Sequence, residues 1–203
     1  MSNDSIANLK KIAYFIFDLF KGVILLFLLA LLFRIFVFQP FIVDGPSMEP
    51  NYYDKEYLLV EKVTPKLKKY HRGDVVIFKY PQNQQLDFIK RIIGMPGETL
   101  QIENGKITIV NNEHPQGIIL GETYLPSDIY SASTSTNFKV TLGQNQVFVM
   151  GDNRANSLDS RSFGALDEKL IIGKPMISFR NFHRILRPKY NVLLPKMKFL
   201  ASK

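Results

Sequence analysis

A chain of 203 residues has room for one membrane anchor and one globular domain, and the absence of cysteine excludes disulfides, thiolate catalysis and Cys-based zinc or iron-sulfur sites. The net charge of +8 invites a nucleic-acid reading, but the folded part holds no basic run interleaved with stacking aromatics, so attraction to a membrane surface is the better use of that charge. The 46% apolar share is concentrated in the first 40 positions, and the remainder has an ordinary globular composition.

Residues 1–11 read as a short tail carrying Lys10 and Lys11. From Ile12 to Phe38 the chain is almost wholly apolar, long enough to cross a hydrocarbon core that needs about 20 such residues. Three charges interrupt this stretch: Asp18 and Lys21 can pair on one helical face, and Arg34, near the far end, can snorkel to the headgroups. The positive-inside rule places the amino terminus in the cytoplasm and everything after Gln39 outside. The competing reading is a cleaved secretory signal, but its apolar stretch runs to about 7 to 15 residues. The nearest small-x-small site, Val43-Asp44-Gly45, would leave Pro46 just after the cut. An uncleaved anchor over 12–38 is therefore expected.

Beyond Gln39, short apolar runs broken by Gly, Pro, Asn and Asp predict a mostly β, antiparallel domain over 39–203. The predicted strands are Glu56 to Val63, Asp74 to Tyr80, Asp87 to Ile93, Thr99 to Glu103, Lys106 to Val110, Gln146 to Met150 and Ile171 to Phe179. Asn104-Gly105 between two of them is a strong hairpin signal. Residues 111–145, rich in Ser, Thr, Asn and Gly, read as an inserted, loop-rich β extension. A short helical turn is expected at Asp167-Glu168-Lys169. The basic tail over 184–203 meets either lipid headgroups or solvent.

Three segments carry candidate chemistry. In Asp44-Gly45-Pro46-Ser47-Met48-Glu49-Pro50, two prolines stiffen the loop around Ser47, as a nucleophile requires, although a serine in such a loop is commonly a turn residue. In the strand around Lys90, alternation groups Phe88, Lys90 and Ile92 on one face and Ile89, Arg91 and Ile93 on the other. A lysine there either snorkels from an edge, the reading the pattern alone favours, or is desolvated and becomes a usable base. After the apolar run Val147 to Met150, the stretch from Gly151 to Gly164 holds too many Arg and Asp for a simple turn.

Taken together, the anchor, Ser47-Met48-Glu49-Pro50, the run from Arg72 to Phe78, the run from Lys90 to Gly97 and the run from Gly151 to Gly164 resemble the type I signal peptidases, in the branch typical of Gram-positive bacteria. The resemblance implies a membrane-bound serine endopeptidase that removes signal peptides from secreted preproteins after small-x-small sites. It makes Ser47 the nucleophile, its backbone N–H an oxyanion donor, and Lys90 the general base. It also implies that Ser157 orients the lysine, that Asp159 and Arg161 form a supporting ion pair, and that Asp152 and Arg91 form a second. Phe41, Val43, Met48, Tyr52, Phe88 and Ile89 match positions near the substrate pockets. Two departures stand out: Gly45 occupies a position where some members carry an oxyanion-binding hydroxyl, and Pro50-Asn51-Tyr52 stands where Pro-Thr-Leu is common.

A catalytically silent relative would lack Ser47 or Lys90, and a self-cleaving repressor would carry a DNA-binding domain in place of the anchor. His71, His114 and His183 are scattered without metal-ligand spacing, so no metal or cofactor is expected. The expected partners are preproteins and the lipid bilayer, with no nucleic acid, and the chain is expected to act as a monomer.

Overall fold

Residues Asn3–Val37 form one continuous helix, α1, about 52 Å long at 1.5 Å per residue. Within it, Lys10–Leu32 is long and apolar enough to cross a bilayer, and none of that span is covered by protein. Its length and apolar composition are those of a membrane-spanning helix. Lys21 Nζ lies 3.4 Å from Asp18 Oδ1 and 4.2 Å from the centre of the Phe17 ring. The computed structural model describes residues 3–67, 70–126 and 137–180, without the side chains of 3–9 and 33–36. Arg34's side chain, His183, the basic tail over 184–203 and part of the Ser/Thr-rich stretch, 127–136, fall outside these described residues. The chain divides into two compact units between Phe38 and Gln39.

The second unit is built on antiparallel sheets. Its strands are β1 (Phe38–Ile42), β2 (Tyr57–Glu61), β3 (Val75–Tyr80), β4 (Asn83–Gly94), β5 (Thr99–Glu103), β6 (Lys106–Val110), β7 (Ile118–Ile119), β8 (Phe138–Thr141), β9 (Gln146–Met150), β10 (Leu166–Asp167) and β11 (Ile171–Phe179). A seven-stranded sheet runs β1-β2-β11-β3-β4-β9-β10, and a four-stranded sheet runs β7-β6-β5-β8. The expected antiparallel core with a smaller β extension is thus present. Asn104 and Gly105 both have positive φ, 49° and 76°, closing the two-residue hairpin that pairs Glu103 with Lys106.

Four strands escaped the sequence reading, β1, β7, β8 and β10, of which two are only two residues long. Val63, expected in a strand, instead starts the helical turn α2 (Val63–Lys66), with Glu61 Oε2 accepting from the amides of Val63 and Thr64. A second short helix, α3 (Ser160–Phe163), is capped by Asp159, and a 3-10 turn covers Glu168–Leu170. The smaller sheet begins at Thr99, ahead of the polar stretch, because β5 and β6 pair with β8 and β7.

β4 positions the site. It lies between β3 and β9, with both faces covered. Phe88 and Ile92 enter one apolar cluster with Val76, Phe78, Tyr80, Val147 and Val149. Ile89 enters another with Phe41, Val43, Met48, Leu58, Val60, Val75 and Ile77. The continuous apolar run of β4 follows from this two-sided burial, so alternation alone could not show which cation would be buried.

Candidate active site

The loop carrying Ser47 is held at several points. Gly45, at φ 106°, adopts a conformation that suits glycine, and its N–H donates to Asp54 Oδ1 at 2.7 Å. Burial opposes ionisation of Asp54, but the Gly45 amide and Lys55 outweigh it and hold the carboxyl below its ordinary value. Lys55 also pairs with Asp44. The turn after Ser47 closes through Tyr52 N to Met48 O at 2.9 Å, and Met48 is fully buried. From the far loop, Asn153 donates its backbone N–H to Ser47 O at 3.0 Å and its side-chain amide to Pro46 O at 3.2 Å. Ser47 is only 2% exposed, and among the described residues no oxygen accepts its backbone N–H.

Lys90 has no exposed surface. The edge placement favoured by the strand pattern is corrected here, because β3 and β9 flank β4 and close off the solvent to which a lysine would snorkel. Lys90 Nζ donates to Ile89 O at 2.9 Å and is hydrogen-bonded to Ser47 Oγ at 2.7 Å. Desolvation pushes the amine from an ordinary 10.5 down to about 7; the carboxylates of Asp159 and Asp152 pull it up, and Arg161 pushes it down. A neutral amine 2.7 Å from a hydroxyl can take its proton near neutral pH.

Both expected ion pairs form. Asp159 receives Nε and Nη2 of Arg161, each at 2.8 Å, and also the Gly151 N–H at 3.0 Å. Burial raises the Asp159 carboxyl, but the Arg161 hydrogen bond and charge prevail and leave it lowered. Asp152 receives Arg91 Nε at 2.8 Å and Nη2 at 2.6 Å, and the third guanidinium nitrogen, Nη1, donates to Gly73 O at 2.7 Å. Ser157 sits beside this framework. A Cβ placed on Gly151 would fall 2.2 Å from Ser157 Oγ and 2.5 Å from Ser47 O, so only glycine lets these two approach. The Ser157 hydroxyl is buried and meets no partner at hydrogen-bond geometry, Lys90 included, although its nearness to Asp159 adds slightly to the lowering there.

The six expected pocket residues do not fall in one place. Phe41, Val43, Met48 and Ile89 share one cluster, with Tyr52 packed against it. Phe88 points to the opposite face, stacking on Tyr80 at 4.5 Å with its ring centre 5.3 Å from Lys90 Nζ. The sequence reading missed Gly151 and Asn153 as individual site residues, although their motif was in view. It also missed Asn51, whose side chain donates to Asp152 Oδ2 at 2.8 Å and to Tyr124 O at 3.0 Å. Glu122, Tyr124 and Arg154, which bond to one another beside Gly151, were missed as well. Among the described residues no group of three His, Cys, Asp or Glu side chains could hold a metal ion. A surface cleft of about 380 Å³ between Pro65, Lys66, Asn145 and Asp167–Lys169 shares no residue with the site.

A serine hydroxyl hydrogen-bonded to a buried amine whose charge is disfavoured is an arrangement in which the amine can accept the hydroxyl proton. Residues 16–180 match the family described as "Signal peptidase, peptidase S26", and the chain belongs to that family of serine peptidases. It is 34% identical to a signal peptidase I of Bacillus licheniformis over 84% of this chain and 91% of the relative. It is 33% identical to one of Bacillus amyloliquefaciens over 93% and 100%, and 34% identical to signal peptidase I T of Bacillus subtilis over 83% and 88%. A solved signal peptidase I from Enterococcus faecalis is 32% identical, covering 52% of this chain and 96% of that one at a TM-score of 0.44.

Proposed function

We propose that the chain cleaves signal peptides from secreted preproteins with Ser47 as nucleophile and Lys90 as general base. The observation that carries the reading is the 2.7 Å hydrogen bond between the Lys90 amine and Ser47 Oγ, formed where the amine has lost its water. Lys90 takes the hydroxyl proton as Ser47 Oγ attacks the scissile carbonyl carbon. It then gives that proton to the leaving amine, which departs as an acyl ester forms on Ser47. A water, deprotonated by the same amine, breaks the ester and restores both groups.

The Ser47 N–H serves as oxyanion donor. The Gly45 N–H, already donated to Asp54, does not supply a second in this arrangement. Asp159 with Arg161 and Asp152 with Arg91 hold the loop that closes over the amine, and Ser157, packed against Gly151, supports the amine's position. Small residues one and three positions before the cut are proposed to pack at the half-buried Tyr52, on the margin of the buried cluster of Phe41, Val43, Met48 and Ile89.

The span Lys10–Leu32 anchors the chain in the membrane with its amino terminus in the cytoplasm and residues 39–203 outside, as a monomer. The test of function is cleavage of a preprotein bearing an Ala-x-Ala site in detergent or lipid by the wild type, Ser47→Ala and Lys90→Met. Loss of cleavage in both variants is expected, and wild-type cleavage by either refutes the assignment. Protease protection in sealed vesicles tests the orientation: a domain after Gln39 that is cut from the cytoplasmic side contradicts it.

A further inference from the structure

Gly151 is gripped at both ends of its own peptide units by carboxylate-guanidinium pairs. Its N–H donates to Asp159, which is held by Arg161. Its carbonyl accepts from Arg154 Nε at 3.1 Å, and the same guanidinium is fastened to Glu122, with Nη1 donating to Oε2 at 2.7 Å and Nη2 to Oε1. Glu122 and Arg154 are both buried, at 2% and 3% exposure. A fork-on-fork pair fixes the guanidinium plane, and here that plane aims the remaining Nε at a single backbone oxygen.

Glu122 comes from the polar stretch that reads as an insertion, about 30 residues before the catalytic loop. Its neighbour Tyr124 links this grip to the rest of the site in three ways. The phenol donates to Glu122 Oε1 at 2.5 Å, the ring lies 4.1 Å beneath the Arg91 guanidinium, and the backbone carbonyl accepts from Asn51 on the nucleophile loop at 3.0 Å. Burial, then Glu122, keeps the phenol in its neutral, donating form. Replacing a buried ion pair with apolar packing is often neutral or stabilising, so stability alone gives no reason to bury one here.

We infer that Glu122 is a positioning residue for the dyad: acting through Arg154, it holds the Gly151 carbonyl, and through Gly151 it fixes the approach of Ser157 and the Ser47 carbonyl beside Lys90. The inference rests on the reading of Ser47 and Lys90 as nucleophile and base. If the grip is released, Gly151 shifts, the two atoms packed against it move, and water reaches the amine. After burial, the charges of Asp159, Asp152 and Arg161 act on Lys90. Those acting on Arg154 are Glu122, Tyr124 and Asp152. Because Arg154→Lys leaves both charges of the Glu122 pair in place, a change in the ionisation of Lys90 in that variant reports geometry and hydration.

The test measures kcat, KM and the pH profile of kcat/KM for preprotein cleavage by the full chain in detergent, with the folded fraction followed by thermal unfolding. Glu122→Gln is expected to lower kcat about tenfold, leave KM within about twofold and move the acid limb upward by about one pH unit. Arg154→Lys keeps a cation opposite Glu122 but removes the Nε donor, and is expected to reproduce both effects. A wild-type acid limb in these variants, or a kcat loss equal to the unfolded fraction, overturns the inference. Should both fail to fold, Tyr124→Phe, which removes only the hydroxyl bonded to Glu122, is expected to shift the limb in the same direction by a smaller amount, and an unmoved limb is again contrary. Ser47→Ala separates the two levels: residual wild-type cleavage sinks the dyad reading itself, whereas an inactive Ser47→Ala beside an unaltered Glu122→Gln sinks only the positioning role.

Discussion

Lys90 makes a quantitative demand on the pH dependence of cleavage. Burial moves its amine from 10.5 to about 7, and each pH unit corresponds to about 1.4 kcal/mol, so the neutral form is favoured by roughly 5 kcal/mol relative to an amine in water. At pH 6 only about one amine in ten is neutral, at pH 7 about half, and at pH 8 about nine in ten. The rate constant kcat/KM should therefore rise close to tenfold per pH unit below pH 7, bend near 7 and level off above about pH 8. An exposed lysine would leave only about three amines in a thousand neutral at pH 8 and would still be climbing at pH 10. The assay is cleavage of one preprotein at constant ionic strength from about pH 5.5 to about pH 10, confined to conditions where unfolding controls show the protein folded. A flat profile, or a limb with its midpoint above about pH 9, rules out a buried Lys90 as the base.

The same burial makes Lys90 costly to the fold. Its folded pKa lies below its unfolded one, so the unfolded chain holds the extra proton between about pH 7 and 10.5; stability rises with pH across that window, and the full penalty is present below it. Lys90→Met is expected to be more stable than wild type at pH 7 by on the order of a few kcal/mol, less what Ser47 Oγ and Ile89 O lose as partners, with the gap narrowing toward pH 10.5; denaturant unfolding at the two pH values checks this. Gly151→Ala, whose new Cβ would overlap Ser157 Oγ and Ser47 O, should cost activity by about two orders of magnitude while the chain still folds, and a near-normal rate would show that the close approach is dispensable. Asp159→Asn leaves the Arg161 guanidinium without its charged partner in a buried setting and should destabilise by about 3 kcal/mol at pH 7. Because the Asp159 carboxyl is lowered, its stabilising contribution is present above its unfolded pKa and is lost as pH falls through the folded one, so the gap between wild type and variant should shrink only under strongly acid conditions.

Local signals carried much of the architecture. Asn104-Gly105 marked its hairpin because a two-residue turn with positive φ needs those residue types, and β5, β6, β9 and β11 begin and end where apolar runs meet turn residues. β1 was hidden by Pro40 and by the apolar helix that precedes it, and β8 by its four-residue length. β4 starts at Asn83, before the expected Asp87, because its first residues are polar and exposed and only later ones enter the core. At the site, motif order pointed to Ser47, Lys90, Asp159 and Arg161. The burial of Lys90 was not legible in its own strand, since it depends on β3, β9 and a loop some 60 residues away. Glu122 gave no signal at all: one carboxylate in a polar stretch has meaning only once Arg154 faces it.

If Ser47 and Lys90 work as one unit, a double-mutant comparison will show it. Cleavage rates of a preprotein with an Ala-x-Ala site are measured for wild type, Ser47→Ala, Lys90→Met and the double variant, each shown to be folded. Groups that act together lose their effect together, so each single variant should fall by at least about four orders of magnitude and the double variant should be no slower than either. Substantial cleavage by either single variant, or losses that multiply in the double variant, would show that the two residues do not act as a unit.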